Sequence, residues 1–327
     1  MTTNGSNGHR NPVPPSGIWV PAATLFDPQT DELVLDAQAK YYSHLSKTGL
    51  VGLVILGTNA EAFLLTQSER KALISAARKA CGPTYPIMAG CGGHSTKQTL
   101  ELLSDAAEAG ADYALVLPPA YFGKQTTTQV VERFFDEVAN RSPLPIVIYN
   151  FPGVCNGVDL DSDQIARLAK KHPGKIVGVK LTCGVVAKIT RLSAELPADT
   201  FATYGGQSDF LVGGLASGSA GCICAFGNAF PRTVVKIYDL WKAGKHDEAL
   251  KLHHIAALAE RGTKGGIATV KYAASLYSAG TGKGQAGIEG VEKLLLPRHP
   301  YTELGDEAKK TLRSIMDPCW EVEKSLM

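Results

Sequence analysis

The sequence predicts an α/β protein of the (β/α)8 TIM-barrel class with a C-terminal helical extension, and three observations lead there. Eight short apolar runs rich in β-formers recur between residues 18 and 225. A helical pattern fills each gap between them. Beyond Phe230 the alternation ends and only helical patterns remain. Eight strands with a crossover helix in every gap match a closed parallel barrel in number and spacing. A doubly wound open sheet is the other way to arrange the same elements.

The expected strands are Ile18–Ala23, Gly52–Leu56, Pro86–Ala89, Tyr113–Leu117, Ile146–Tyr149, Ile176–Lys180, Phe201–Tyr204 and Ala220–Ala225. Between them lie the expected helices Leu33–Ser46, Ser68–Ala80, Thr96–Ala109, Thr128–Ala139, Leu160–Lys171, Val185–Leu196 and a shorter Phe210–Ala216. Gly49, Gly110 and Gly174 each follow a helical pattern and precede a strand, where helices stop on a left-handed residue. The extension is expected to hold helices over Thr233–Ala243, Asp247–Gly262, Ile267–Ala279 and Asp306–Ser314. The domain reading is therefore a disordered tail at 1–16, a catalytic barrel at 17–229 and a helical region at 230–327.

Composition narrows the function classes. The 327 residues are 44% hydrophobic and 20% charged, with a formal net charge of +2, which gives no reason to invoke nucleic acid or an anionic membrane. No apolar run approaches the ~18 residues of a membrane-spanning helix. The opening MTTNGSNGHRNPVPPSG is polar and Pro/Gly-rich rather than a secretory signal. Seven cysteines, an odd number with no CxxC pair, read as reduced thiols, and a cytoplasmic setting is expected.

Chemistry concentrates in residues 145–184, a βαβ unit whose two strands end in Tyr149 and Lys180. Parallel pairing brings a phenol and an amine to the edge of the sheet where barrel enzymes work. Strict alternation puts Lys180 on one face with Gly178, which leaves room for a long side chain, and turns Val177 and Val179 the other way. Apolar walls disfavour the ammonium, and a neutral amine attacks ketones, so Lys180 is a Schiff-base candidate with Tyr149 as its proton shuttle. The competing reading is a strand-end lysine that snorkels to solvent.

The other strand ends offer further groups. After the second strand, Gly57, Thr58, Asn59, Ala60 and Glu61 make a carboxylate cradle or an ordinary polar turn. After the third, Gly90-Cys-Gly-Gly-His94-Ser95 lets backbone approach a ligand; Ser95 reads as a helix N-cap and His94 as structural. Pro118-Pro-Ala-Tyr121-Phe122 carries an aromatic pair suited to lid, interface or core. After the seventh strand, Gly205, Gly206, Gln207, Ser208 and Asp209 supply small polar groups. No metal set is expected: the histidines lack HxH or HxxxH spacing, and Cys222 and Cys224 alone are too few ligands. Gly282-Lys-Gly-Gln-Ala-Gly287 is a formal GxGxxG, but a helical pattern precedes it where a dinucleotide loop requires a strand.

Taken together, GTNAE at 57–61, the tyrosine of YNFPG at 149–153, the lysine of GVKLTCG at 178–184 and eight strands ahead of a helical tail resemble the dihydrodipicolinate synthase/N-acetylneuraminate lyase family. The resemblance implies a pyruvate-type class I aldolase with no organic cofactor. On it, Lys180 forms the Schiff base, Tyr149 moves protons with Thr58 as relay, and Thr58 and Asn59 hold the 2-keto acid carboxylate. Tyr121 would reach into a neighbouring subunit's site, which implies a homotetramer built as a dimer of dimers. Gln207 and Ser208 fall where the family reads the aldehyde half, and Gly206 and Ile223 are further substrate-binding candidates on the same resemblance.

Within the family, the lysine strand and YGGQSD most resemble fungal 2-keto-3-deoxy-hexulosonate aldolases, which cleave a sugar acid to pyruvate and a neutral hydroxyaldehyde. Alternatives implied by the same resemblance are a hydratase-aldolase or synthase for an apolar aldehyde walled by Phe151, Val154 and Phe226, a 4-hydroxy-2-oxoglutarate aldolase, or a catalytically silent binding protein. Two departures stand out. Ala60 replaces the family's usual glycine, and no cation follows Tyr149 or adjoins Gln207 and Ser208 in sequence. A carboxylate on the aldehyde would then lack an anchor, so neutral aldehydes are expected to be favoured.

Overall fold

The chain is described from a computed structural model that covers residues 13–327. Eight parallel strands close in chain order: β1 (Gly17–Pro21), β2 (Gly52–Ile55), β3 (Ile87–Gly90), β4 (Tyr113–Val116), β5 (Ile146–Asn150), β6 (Ile176–Leu181), β7 (Ala202–Gly205) and β8 (Gly221–Ile223). β1 pairs with β8, Gly17 opposite Gly221, and this closure excludes the open sheet.

The crossovers hold α1 (Leu35–Leu45), α2 (Gln67–Cys81), α3 (Thr96–Glu108), α4 (Thr128–Arg141), α5 (Ser162–Lys171), α6 (Val186–Glu195) and α7 (Leu211–Ala216). Side-chain oxygens of Thr66, Ser95, Thr127 and Asp161 accept the N–H three residues on and start α2 to α5, each cap contributing about 1 kcal/mol. Ser95 is thus an N-cap, as its position predicts. Gly49, Gly110 and Gly174 stand at φ of +91°, +94° and +70°, the left-handed stops expected between helix and strand.

Two apolar layers result, one between strands and helices and one inside the barrel. Trp19, Tyr113 and Tyr204 meet edge to face on the barrel floor, with Trp19 6.2 and 6.5 Å from the other two ring centres. Their N–H and O–H groups need acceptors there, and Val13–Pro15 supply them from below. Trp19 Nε1 donates to the Pro15 carbonyl at 3.1 Å, the Tyr204 hydroxyl lies 2.9 Å from the Pro14 and Pro15 carbonyls, and the Tyr113 hydroxyl reaches the Val13 carbonyl at 3.4 Å. Most of the tail expected at 1–16 falls outside the described residues, whereas Val13 and Pro14 are buried in this seal.

One expectation about β6 changes. The β5–β6 register slips between Ile146 and Val147, which bulges Val177 and turns it into the barrel interior with Tyr149, while Val179 packs outward. Gly178 is required for a different reason than the one inferred from alternation. A Cβ there would stand 2.6 Å from the carbonyl oxygen of Ala202 on β7, so the glycine allows two backbones to touch.

Past the barrel come α8 (Pro231–Lys242), α9 (His246–Glu260), α10 (Ile267–Ala274), α11 (Val291–Leu294) and α12 (Asp306–Ser325). The helix expected to stop at Ser314 continues through Pro318. Its buried face, Leu312, Met316, Cys319 and Glu323, keeps it helical, and Glu323 accepts from the N–H groups of Arg232 and Thr233 at the start of α8. Tertiary packing here outweighs the cost of a helix proline.

Gly178→Ala tests the contact between β6 and β7. The added carbon forces two strands apart, and thermal or urea unfolding should show a loss of about 1–3 kcal/mol; stability equal to the parent protein's would show that the strands yield freely.

Candidate active site

The β5–β6 register sets Tyr149 directly opposite Lys180. Lys180 is 2% exposed, its Nζ donates to the Tyr149 hydroxyl at 3.2 Å, and it lies 4.2 Å from the centre of that ring. The phenol oxygen, already accepting from the amine, stands 3.3 Å from Thr58 Oγ1. An amine, a phenol and a secondary hydroxyl thus form one hydrogen-bonded line across three strand ends, β6, β5 and β2. Such a line can move a proton between a reacting carbon centre and a relay. Phe151 stacks on Tyr149 with ring centres 5.7 Å apart.

Backbone strain shapes the loop that carries Thr58. Leu56 and Glu61 adopt φ of +68° and +57°, so the 3₁₀ turn Thr58–Ala60 sits between two left-handed residues. Ala60 itself is not left-handed, and its carbonyl accepts from Thr24 Oγ1 at 2.8 Å, so the alanine fits where glycine was expected. Next to it, a Cβ on Gly90 would fall 1.9 Å from the Leu56 carbonyl oxygen. Buried Arg70 also ties this region down, its Nη2 donating to the Gly90 carbonyl at 2.9 Å. At the start of the turn the N–H groups of Thr58 and Asn59 have no acceptor within the short helix.

Strain of this kind persists where surrounding bonds over-determine it. Glu61 is locked between Lys271 Nζ at 2.6 Å and the Arg298 N–H at 2.7 Å, in a wholly buried ion pair with Lys271. Arg298 in turn binds Asp31 and Glu69. The C-terminal region therefore holds the Thr58 loop in place.

The opposite side of the mouth is built by β6 and β7. Thr182, two residues past Lys180, carries a buried hydroxyl with no partner among the described residues, and a Cβ on Gly206 would lie 2.1 Å from that oxygen. Period-two spacing from Lys180 could have singled Thr182 out in the sequence. Ile223 points into the barrel beside Trp19. Ser208 faces away from the mouth: its Oγ donates to Glu260 of α9 at 2.6 Å and its carbonyl lies 2.8 Å from His253.

Two expectations are corrected at this wall. A cation does adjoin Gln207, for Lys264 Nζ donates to Gln207 Oε1 at 2.7 Å and pairs with Asp209 at 2.8 Å. It arrives from the α9–α10 connection, 57 residues along the chain, where sequence proximity could not show it. Phe226 is wholly buried between the barrel and α8, edge to face with Phe230 at 5.1 Å between ring centres, and forms no wall of the mouth. β8 ends at Ile223, and the turn that follows carries Phe226 outward.

Tyr121 stands outside this line. It is 72% exposed and joins Phe122, His94 and Phe63 in a surface group of rings, with successive centres 5.3 to 5.9 Å apart. The glycine motif at 282–287 follows a π-helical turn, Ser275–Ala279, and the Gln285 side chain takes the Gly282 N–H at 2.6 Å. Neither feature suits a dinucleotide.

The closed parallel barrel, with a buried lysine bonded to a phenol at the C-terminal end where barrel enzymes place their chemistry, defines the class as a barrel lyase. The chain belongs to the dihydrodipicolinate synthetase family, whose model matches residues 14–318. It is 60% identical over 314 residues to a protein of Coccidioides immitis provisionally named a mitochondrial 4-hydroxy-2-oxoglutarate aldolase, covering 96% of this chain and 98% of that one. It is 35% identical over 338 residues to the L-threo-3-deoxy-hexylosonate aldolase of Aspergillus niger, covering 95% and 96%. Among solved structures, YagE of E. coli K12, a dihydrodipicolinic acid synthase family protein in complex with pyruvate, superposes with a TM-score of 0.81 at 26% identity, covering 95% of this chain and 99% of its own.

The Coccidioides relative's mitochondrial name overturns the cytoplasmic expectation. That expectation tested only for a secretory signal.

Glu260 gives this wall a testable titration. Burial, reinforced by Asp209 and opposed by Lys264 and the Ser208 donors, pushes its carboxyl up to about 7. A carboxyl with a raised folded pKa contributes stability that is complete below its unfolded pKa and is lost as pH rises through the folded value. The parent protein should therefore lose roughly 1–3 kcal/mol between pH 4.5 and pH 8 relative to Glu260→Gln, read from unfolding curves at both pH values. Parallel pH dependence of the two proteins would refute a buried, proton-holding Glu260.

Proposed function

We propose that this protein is a class I aldolase that cleaves 4-hydroxy-2-keto acids into pyruvate and an aldehyde through a Schiff base on Lys180. The observation that carries the reading is the buried Lys180 amine, 3.2 Å from the Tyr149 phenol, which itself lies 3.3 Å from Thr58. Lys180 Nζ attacks C2 and water leaves, giving an iminium. Tyr149 takes the C4 hydroxyl proton, the C3–C4 bond breaks, and its electrons pass into the iminium to give an enamine and a free aldehyde. Protonation of C3 and hydrolysis then release pyruvate and restore the amine. Thr58 and Asn59 hold the substrate carboxylate, and Gln207 reads the half that leaves.

On the substrate, the 60% identical relative favours 4-hydroxy-2-oxoglutarate, with glyoxylate as the aldehyde, and its name favours a mitochondrial setting. A 2-keto-3-deoxy sugar acid is the second reading, favoured by the Aspergillus relative and by the neutral amide of Gln207. The burial of Phe226 speaks against an aromatic aldehyde. Pyruvate release from the two acids, measured side by side, separates the readings.

The covalent step is tested by intact mass after pyruvate and borohydride. The parent protein should gain one pyruvate-derived adduct and Lys180→Ala none. Tyr149→Phe should keep the adduct while turnover falls by about 10²–10⁴-fold. A parent protein that forms no adduct and releases no pyruvate is the silent family member.

The exposed rings around Tyr121 support a shared site in which Tyr121 completes the relay of a neighbouring subunit within a dimer-based tetramer. Tyr121→Phe should then lower turnover about tenfold or more with adduct formation intact, and the active species should sediment as an oligomer. A fully active monomer would sink this part.

A further inference from the structure

We infer that Lys264 is a positioning residue that sets affinity for the aldehyde half of the substrate, by fixing which way the Gln207 amide faces. This rests on the aldolase reading above. An ammonium only donates hydrogen bonds, so its 2.7 Å contact with Gln207 must be to the amide oxygen. The amide NH2 is thereby turned to the other side. Gln207 lies two residues beyond β7, whose Tyr204 is opposite Lys180, so its backbone stands at the barrel mouth on the strand next to the nucleophile.

The consequence is chemical. A free amide can flip and offer either a donor or an acceptor, but one held by Lys264 offers only a donor. Gln207 so held gives the wall one fixed donor for an oxygen acceptor on the departing aldehyde, whether a carboxylate or a hydroxyl oxygen. Lys264 also pairs with Asp209 at 2.8 Å, and buried Glu260 stands 3.9 Å away. The paired charge of Asp209 offsets that of Lys264, so the effect works through orientation rather than through a net positive field.

The alternative is that Lys264 merely makes a half-exposed ion pair with Asp209, and such pairs contribute little. Lys264→Met and Asp209→Asn distinguish the two, because only the first removes the bond to Gln207. KM and kcat are measured for 4-hydroxy-2-oxoglutarate and for a 2-keto-3-deoxy sugar acid, with borohydride-trapped pyruvate adduct as the check that fold and nucleophile are intact. Lys264→Met should raise KM about three- to tenfold for whichever acid is cleaved, with kcat and adduct formation close to the parent's. Lys264→Arg should restore most of the loss, and Asp209→Asn should leave KM within about twofold. Unchanged KM in Lys264→Met, or an equal loss in Asp209→Asn, overturns the inference. So does a loss confined to the dicarboxylic substrate, which would signal through-space charge. If the parent protein forms no adduct and cleaves neither acid, the aldolase reading has failed instead.

Discussion

A lysine inside an apolar barrel persists only where something accepts its hydrogen bonds, because an unpartnered charge or amine there costs several kcal/mol. Here the acceptor is the Tyr149 phenol, and the rest of the site follows from that requirement. Strands β5 and β6 must pair in the register that puts the two residues opposite each other, so the register slip falls before them, at Val177. The aromatic floor of Trp19, Tyr113 and Tyr204, sealed by Val13–Pro15, fills the lower barrel and leaves the upper end to polar groups.

The Thr58 loop is held by a different force. Its two left-handed residues, Leu56 and Glu61, are unfavourable alone. They are fixed by the buried Glu61–Lys271 pair and by Arg298, both from the helical extension. Removing one member of such a pair typically costs about 3–5 kcal/mol, since the other charge is left buried and unpaired. The extension is thus a clamp on the Thr58 loop. It also braces the loop after β7, through Lys264 on Gln207 and through Glu260 and His253 on Ser208. Two barrel loops at the mouth are therefore backed by residues of the extension.

Much of this was legible in the sequence alone. Eight runs of β-formers with a helix in every gap call for parallel strands, because each crossover must span the sheet, and their number matches a barrel; the pairing of β1 with β8 closed it. The glycine stops at 49, 110 and 174 and the cap at Ser95 are local signals with local causes. Lys180, Tyr149 and Thr58 could be grouped because all three end or follow strands, and parallel strands bring their C-terminal ends together.

What only the tertiary structure decided involves contacts between distant residues or departures from ideal periodicity. Strict alternation put Val177 outside, and one bulge reversed it. Gly178 looked like space for a lysine, whereas it accommodates the backbone of β7. The helix at Ser314 ran on through Pro318 because its buried face and Glu323 were already committed to α8. The cation beside Gln207 came from Lys264, and the partner of Glu61 from Lys271, 210 residues away. Chain order determines which strands and helices form, since those depend on neighbours. Which charge meets which loop depends on how the extension folds back, and no local pattern encodes that.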